Sequence, residues 1–243
     1  MKYGRIIKEN YIKINSILSE GDFKMNKSCF ISWSGGKDSC LALYKAIEQG
    51  YSPQKLFTMF SMENDISSAH RLKVNILKAQ ASAIGIEHLA GKALFNDYEE
   101  IFISNLKLFK EQGIDYGIFG DIDLEEHKQW EDKVCEKASI TSVLPLWQRN
   151  RKEIVQEFLN LGFKAKIIVV NTTMIDVKFL GQDLSYSLMK EIEEYGADVC
   201  GENGEYHTVV YDGPIFKKPV ELKYTNEIIP VGEKWAQIEV RTS

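Results

Sequence analysis

Six consecutive residues, Ser34-Gly35-Gly36-Lys37-Asp38-Ser39, place two glycines, a cation, a carboxylate and two hydroxyls between an apolar run and the start of a helical pattern. Backbone N–H groups at Ser34, Gly35 and Gly36 can converge on an anion, because glycine tolerates positive φ and lets the chain approach closely. The helix that follows adds its positive N-terminal end and Lys37 a full charge, so a polyphosphate is the expected guest. The ordinary P-loop does not describe the stretch. It needs a glycine where Ile31 stands and a Ser or Thr where Asp38 stands. A Gly-Ser turn with a solvated Lys-Asp pair is the plainer alternative. A second group with chemical capacity lies far downstream, where Glu202 and Glu205 flank a glycine-bearing loop and Tyr206, His207 and Thr208 enter a strand behind it.

The elements that must position these residues alternate in period. Ser28 to Trp33 reads as a buried strand and Ser39 to Gln49 as a helix with Cys40, Leu43, Tyr44 and Ile47 on one face, stopped by Gly50. Lys55 to Met62 reads as a strand, Leu72 to Gly85 as a helix, Ile86 to Leu89 as a strand and Tyr98 to Gln112 as a helix. Tyr116 to Phe119 is a fourth strand ending in Gly120-Asp121. Such alternation predicts a parallel sheet with helices on its faces, an α/β fold. After Pro145 the texture changes. Helices are expected over Glu153–Leu161 and Leu188–Tyr195, and strands over Ala165–Val170, Tyr206–Tyr211, Val220–Tyr224 and Trp235–Val240, with a turn at Asp212-Gly213-Pro214. We therefore divide the chain into an extension (1–24), an α/β domain (25–144) and a smaller α+β domain (145–243). In the extension, Ile7, Tyr11, Ile14 and Leu18 form one helical stripe, read as an amphipathic helix docked on the core.

With 44 % apolar and 27 % charged residues in 243, the chain is an ordinary globular protein with room for two modest cores. No apolar stretch approaches the roughly 20 residues of a membrane span, and the start lacks a secretory signal, so a cytoplasmic location is expected. A formal charge of −5 argues against general nucleic-acid binding. The cluster Gln148-Arg149-Asn150-Arg151-Lys152 reads as a solvated face. Cys29, Cys40, Cys135 and Cys200 show no CxxC pair and no zinc-site spacing, and read as small buried hydrophobes.

The stretch Ser34 to Ser39 resembles the PP-loop, SGGxDS, of the ATP pyrophosphatase superfamily, whose members cleave ATP between its α and β phosphates. Residues 200–216, CGENGEYHTVVYDGPIF, resemble a signature of the diphthine-ammonia ligase family. So do residues 120–135, GDIDLEEHKQWEDKVC, then Pro145-Leu146-Trp147 and Leu161-Gly162-Phe163-Lys164-Ala165, and the likeness spans about residues 27 to 220. It implies a PP-loop (adenine nucleotide alpha hydrolase-like) domain followed by a smaller substrate-side domain. It also implies a ligase that adenylates a carboxylate and passes it to ammonia, releasing AMP and pyrophosphate. ATP and Mg²⁺ are the implied cofactors. Diphthine on an elongation factor is the implied acceptor if the source is archaeal or eukaryotic, and another carboxylate if it is bacterial.

On this resemblance Ser34, Gly35, Gly36, Lys37, Asp38 and Ser39 bind ATP, Asp38 acting through Mg²⁺ or orienting the loop; Gly120 and Asp121, at the C-terminal end of the fourth strand, are placed at the nucleotide or its metal by position, with helix capping an equal alternative for Asp121. His70 is placed at adenine or ribose, with helix-end capping as its alternative. Lys37, Asp38, Glu202, Glu205 and His207 are the catalytic candidates, the two glutamates attracting ammonium, binding Mg²⁺ or holding a cationic substrate. RNA thiolation is disfavoured, since neither paired cysteines nor a basic platform is present. There is no room for a glutaminase domain, which points to free ammonia or a separate donor. An ATP-sensing module is the non-enzymatic alternative, and self-association is left open.

Overall fold

The computed structural model describes residues 27–62, 66–67 and 71–242. The expected helix of residues 1–24 lies outside them. The first half alternates strand and helix: β1 (Lys27–Ser32), α1 (Lys37–Glu48), β2 (Tyr51–Ser61), α2 (Val74–Ile84), β3 (Glu87–Ala93), α3 (Tyr98–Glu111), β4 (Tyr116–Ile118), α4 (Glu125–Lys137) and β5 (Thr141–Val143). These strands pair in parallel in the order β3-β2-β1-β4-β5. Strand order therefore reverses between β1 and β4, where chain segments leaving adjacent strands part and open a crevice.

Side-chain alternation along the strands assigns the two faces. In β1, Cys29 and Ile31 point to one buried cluster with α1 and α2, and Phe30 points to the other with Phe102, Phe109 and Val134 of α3 and α4. The second half adds α5 (Arg151–Asn160), β6 (Lys164–Asn171), α6 (Tyr186–Tyr195), β7 (Tyr206–Asp212), β8 (Leu222–Val231) and β9 (Trp235–Thr242). Its strands form a second sheet in the order β7-β6-β9-β8, with antiparallel pairing throughout. This is an α/β fold joined to an α+β one. Ile167, Val169 and Val209 of the second sheet belong to the same buried cluster as Leu41, Tyr44 and Ile76, so apolar packing runs unbroken from one sheet to the other. Among the described residues, no helix is long and apolar enough to cross a membrane.

Several boundaries differ from expectation. Helix α4 is not evident from periodicity, because only Glu131, Val134 and Cys135 of its 13 residues are buried. Strand β8 runs to Val231 rather than ending at Tyr224, and its register against β9 shifts between Tyr224 and Ile228, which breaks the alternation a reader would follow. Strand β5 is too short, at 3 residues, to leave a pattern.

One buried side chain joins the two halves. Gln80 of α2 accepts from Trp33 Nε1 (3.2 Å) and donates through Nε2 to the carbonyls of Gly35 (2.9 Å) and Val210 (2.7 Å). Gln80→Leu would strand the Trp33 indole N–H and take the side-chain donor from the Val210 carbonyl, while the Gly35 carbonyl keeps its bond from Val210 N. We expect denaturant unfolding to register a loss of about 2–4 kcal/mol; a loss below about 0.5 kcal/mol would show that the junction does not depend on this side chain.

Candidate active site

The loop between β1 and α1 is fixed from three directions. Within it, Ser34 Oγ accepts from Gly36 N (3.3 Å) and donates to Ser39 Oγ (3.0 Å), which donates to the Gly36 carbonyl (3.1 Å). From the second sheet, Val210 N donates to the Gly35 carbonyl (3.0 Å), and Thr208 Oγ1 accepts from Lys37 N (3.1 Å). From α2 comes Gln80. Gly35 has φ +75°, and a Cβ there would lie 2.5 Å from Gln80 Oε1, so both conformation and space demand glycine. At the end of β4 a Cβ on Gly120 would come within 3.0 Å of the Asp38 carbonyl carbon, so glycine again permits the two segments to meet. Gly36, at the N-cap of helix α1, brings no capping side chain of its own, and Thr208 takes the Lys37 N–H from β7; a helix N-terminus of this kind favours an anion.

Lys37 is not solvated. Its side chain is 6 % exposed, with Nζ 2.7 Å from Asp38 Oδ2 and 3.8 Å from Glu202 Oε1. Burial alone would discharge it, but Asp38 and the other acidic groups around it hold the ammonium charged well above its ordinary range. Burial, reinforced by Asp38, pushes Glu202 up to about 7. Asp38 Oδ1 is buried with no hydrogen-bond partner. One carboxylate oxygen each of Asp38 and Glu202 and the Cys200 sulfur lie within 4.8 Å of one another. Paired carboxylates with an orphaned oxygen, beside a loop shaped for phosphates, fit Mg²⁺, a hard ion that prefers oxygen ligands.

These groups face a cleft of ≈ 650 Å³, within the range of small-molecule sites, lined also by Asp121, His127, Trp130, Glu131, Tyr98 and His207. On the β4–α4 side, Asp121 Oδ1 lies 2.7 Å from His127 Nδ1. Burial and the neighbouring Asp121 push Glu131 up to about 11, and its retained proton is donated to Asp121. Burial opposes ionisation of Asp121, but the bonds from His127 and Glu131 hold it below the usual carboxylate range, and Asp121 in turn draws the His127 pKa up.

Of the residues expected from sequence, Ser34, Lys37, Asp38, Ser39, Gly120, Asp121, Glu202 and His207 line this one cleft, and Gly35 and Gly36 build its loop. Glu205 stands behind it. At 2 % exposure its carboxylate accepts from Asp198 N, Asn203 N and Asn203 Nδ2 at 3.0–3.1 Å, so it braces the loop that carries Glu202. His207 stacks on Trp235 with ring centroids 5.5 Å apart. His70 lies outside the described residues.

Sequence reasoning missed Arg151, placed with a solvated face. Its guanidinium makes a two-pronged bond to Asp123 (2.7 Å each) and also donates to Asp198 Oδ2 (2.6 Å) and Asn203 Oδ1 (2.9 Å). Asp198 accepts from the backbone N–H groups of Cys200 and Glu202. One side chain thus ties the loop after Asp121 to the loop that carries Glu202, across the cleft. Its partners are 28 and 47 residues away, so spacing gave no sign of it. His127 and Glu131, four residues apart on α4, carried a signal in their one-face spacing.

Against this geometry, models for the diphthamide synthase N-terminal domain and C-terminal domain match residues 27–142 and 150–240. The chain belongs to the diphthamide synthase family. Among its relatives, the diphthine–ammonia ligase of Homo sapiens is 27 % identical over 230 residues, covering 84 % of this chain and 86 % of that protein. The Bos taurus ligase is 29 % identical with the same coverage. The Saccharomyces cerevisiae protein of that name is 31 % identical over 104 residues, 35 % of this chain and 15 % of that protein. A solved structure described as a predicted subunit of tRNA methyltransferase from Methanocaldococcus jannaschii aligns over 79 % of this chain and 100 % of that one, at 16 % identity and a TM-score of 0.43. That likeness is too distant to inform fold or function. In this diphthamide synthase family member, the two matched regions meet at the cleft, and each supplies part of its lining.

Two outcomes are expected. Arg151→Met should raise hydrogen exchange at the Cys200 and Glu202 amides by about tenfold or more while α1 amides keep their protection; equal protection would show that the clamp does not hold the loop. Glu131 keeps in the folded state a proton that the unfolded chain releases above the ordinary value of 4.5, so this group lowers stability as pH rises from there towards about 11. Glu131→Gln retains a donor for Asp121 without that proton. Its melting temperature should therefore fall less than the parent's between about pH 6 and about pH 9, and a steeper fall would contradict the assignment.

Proposed function

We propose that this chain is an ATP-dependent ligase that adenylates the carboxylate of diphthine and transfers it to ammonia, releasing AMP and pyrophosphate. The observation that carries the reading is the buried Lys37 at a helix N-terminus with glycine at its N-cap, beside an Asp38 oxygen that lacks a partner, in a chain of the diphthamide synthase family. A carboxylate is a poor acyl donor because its leaving group would be oxide; adenylation makes the leaving group AMP.

In the first half-reaction the amides of the Ser34–Ser39 loop and Lys37 take the β,γ-phosphates and offset the charge that builds on the departing pyrophosphate. Asp38 and Glu202 would hold Mg²⁺, which when bound supplies positive charge against the phosphate oxygens. The metal contact expected of Asp121 gives way in this reading to its pairing with His127 and Glu131. In the second half-reaction ammonium gives up a proton to solvent, the ammonia so formed attacks the acyl carbonyl, the C–O bond to AMP breaks, and the nitrogen loses a further proton to solvent as the amide forms. With Glu205 engaged by backbone N–H groups and Glu131 keeping its proton, Asp38, Asp121 and Glu202 are the acids whose field in the cleft draws ammonium in. Tyr98, Trp130 and His207 supply aromatic surface suited to a trimethylammonium group such as that of diphthine.

The test is to incubate the protein with ATP, Mg²⁺, ammonium and a diphthine-bearing elongation factor and to identify the nucleotide product. AMP with pyrophosphate is expected; ADP with phosphate would overturn the proposed bond cleavage, and ATP binding without turnover would favour a sensing module. Lys37→Ala should weaken ATP binding about ten- to a hundredfold, the equivalent of a charged hydrogen bond of about 1.5–3 kcal/mol, with circular dichroism unchanged. Unaltered affinity would remove Lys37 from its role.

A further inference from the structure

Cys200 does not sit among apolar side chains alone. It is fully buried, yet its sulfur shares a space no wider than 4.8 Å with carboxylate oxygens of Asp38 and Glu202. Two of the three donors come from one rigid turn. Cys200 N and Glu202 N both donate to the Asp198 carboxylate (3.0 and 3.2 Å), Gly201 N donates to the Asp198 carbonyl (3.1 Å), and Arg151 pins Asp198 from outside. The third comes from the first turn of α1, where Asp38 offers a carboxylate oxygen to the cluster; its Oδ2 is bonded to Lys37, and its Oδ1 is buried with no hydrogen-bond partner among the described residues. The loop that bears Cys200 and the helix that bears Asp38, held together through β7, converge on one point.

A sulfur and two carboxylates make a mixed donor set. Mg²⁺ takes oxygen and gains nothing from sulfur, whereas Zn²⁺ and Cd²⁺ bind thiolate, with Zn–S near 2.3 Å and Zn–O near 2.0–2.2 Å. We propose that Asp38, Cys200 and Glu202 form a site for a thiophilic divalent cation, Zn²⁺ foremost, in the nucleotide-free protein. On binding, a metal–sulfur bond forms and the S–H bond breaks, its proton passing to solvent. The incoming ion takes the carboxylates that Lys37 now contacts and repels its ammonium group. Zn²⁺ and the nucleotide arrangement proposed above then compete for the same acids. The site stands without that arrangement, because it is defined by three side chains and no nucleotide.

The experiment uses the full chain without nucleotide or acceptor, so a failure of the ligase reading leaves its outcome untouched. Cd²⁺ is titrated while the ultraviolet sulfur-to-metal charge-transfer absorption is followed, and Zn²⁺ binding is measured by calorimetry. We expect saturation at about one equivalent of metal. Cys200→Ser should abolish the absorption and weaken Zn²⁺ by about tenfold or more, and Glu202→Gln should weaken Zn²⁺ while the sulfur band survives at higher Cd²⁺. Should the serine variant fail to fold, Glu202→Gln decides alone. A band that persists in Cys200→Ser, no band in the parent, or a Zn²⁺ affinity unchanged by Glu202→Gln would each overturn the site.

Discussion

The hydrogen bonds that cross from β7 to the β1–α1 loop are the constraint on which the cleft depends. A glycine-rich loop at a helix N-terminus gains its anion affinity from amides pointing together, and glycine makes that arrangement entropically expensive to hold. Here Val210 N and Thr208 Oγ1 seize the backbone on either side of Gly36, and Gln80 closes the same junction from α2. The loop's shape is therefore set by a strand more than 170 residues along the chain. Because β7 also follows directly on the turn that carries Glu202, the support that shapes the anion cradle fixes the carboxylate beside it.

That coupling matters for charge. An ammonium buried as deeply as that of Lys37 would lose its proton without nearby acids, and the Glu202 carboxyl, raised by burial and by Asp38, is drawn back down by Lys37. Each group's state is thus conditional on the others, and the arrangement is short of one partner, as the orphaned Asp38 oxygen shows. The facing side solves the same problem differently. Burial and Asp121 keep Glu131 protonated, while bonds from His127 and Glu131 keep Asp121 ionised beside His127. One cleft therefore holds an acidic pair tempered by a lysine and another tempered by a proton.

What the sequence revealed follows from which interactions are local. The loop at Ser34–Ser39 and the parallel alternation up to β4 were legible, because a glycine turn and a period-2 strand write themselves in neighbouring residues. Helix α4 was not, since a helix that buries one short stripe and turns a charged face to solvent leaves little apolar rhythm. Glu202 and Glu205 looked equivalent three residues apart, yet one faces the cleft and the other is consumed by three donors of its own loop; only the path of the turn separates them. Arg151 was misread for the converse reason. Charged clusters are usually solvated, and nothing near it in sequence discloses the aspartates that it joins.

The same reasoning explains why the cleft sits where it does. Strand order reverses between β1 and β4, so the loops that follow them diverge and leave a crevice with the helix N-terminus on one side and Asp121 on the other. A crevice of this kind is open above, and a small-molecule site that limits contact with water needs a third side. The second sheet supplies it. Tyr206, His207 and Thr208 close the space, Arg151 joins their loop to the one after β4, and the apolar cluster shared by the two sheets keeps that third side from drifting. The smaller half of the chain is thus not an appendage to a finished cleft: it holds the β1–α1 loop through β7, lines one side of the cleft and contributes Glu202 beside Asp38.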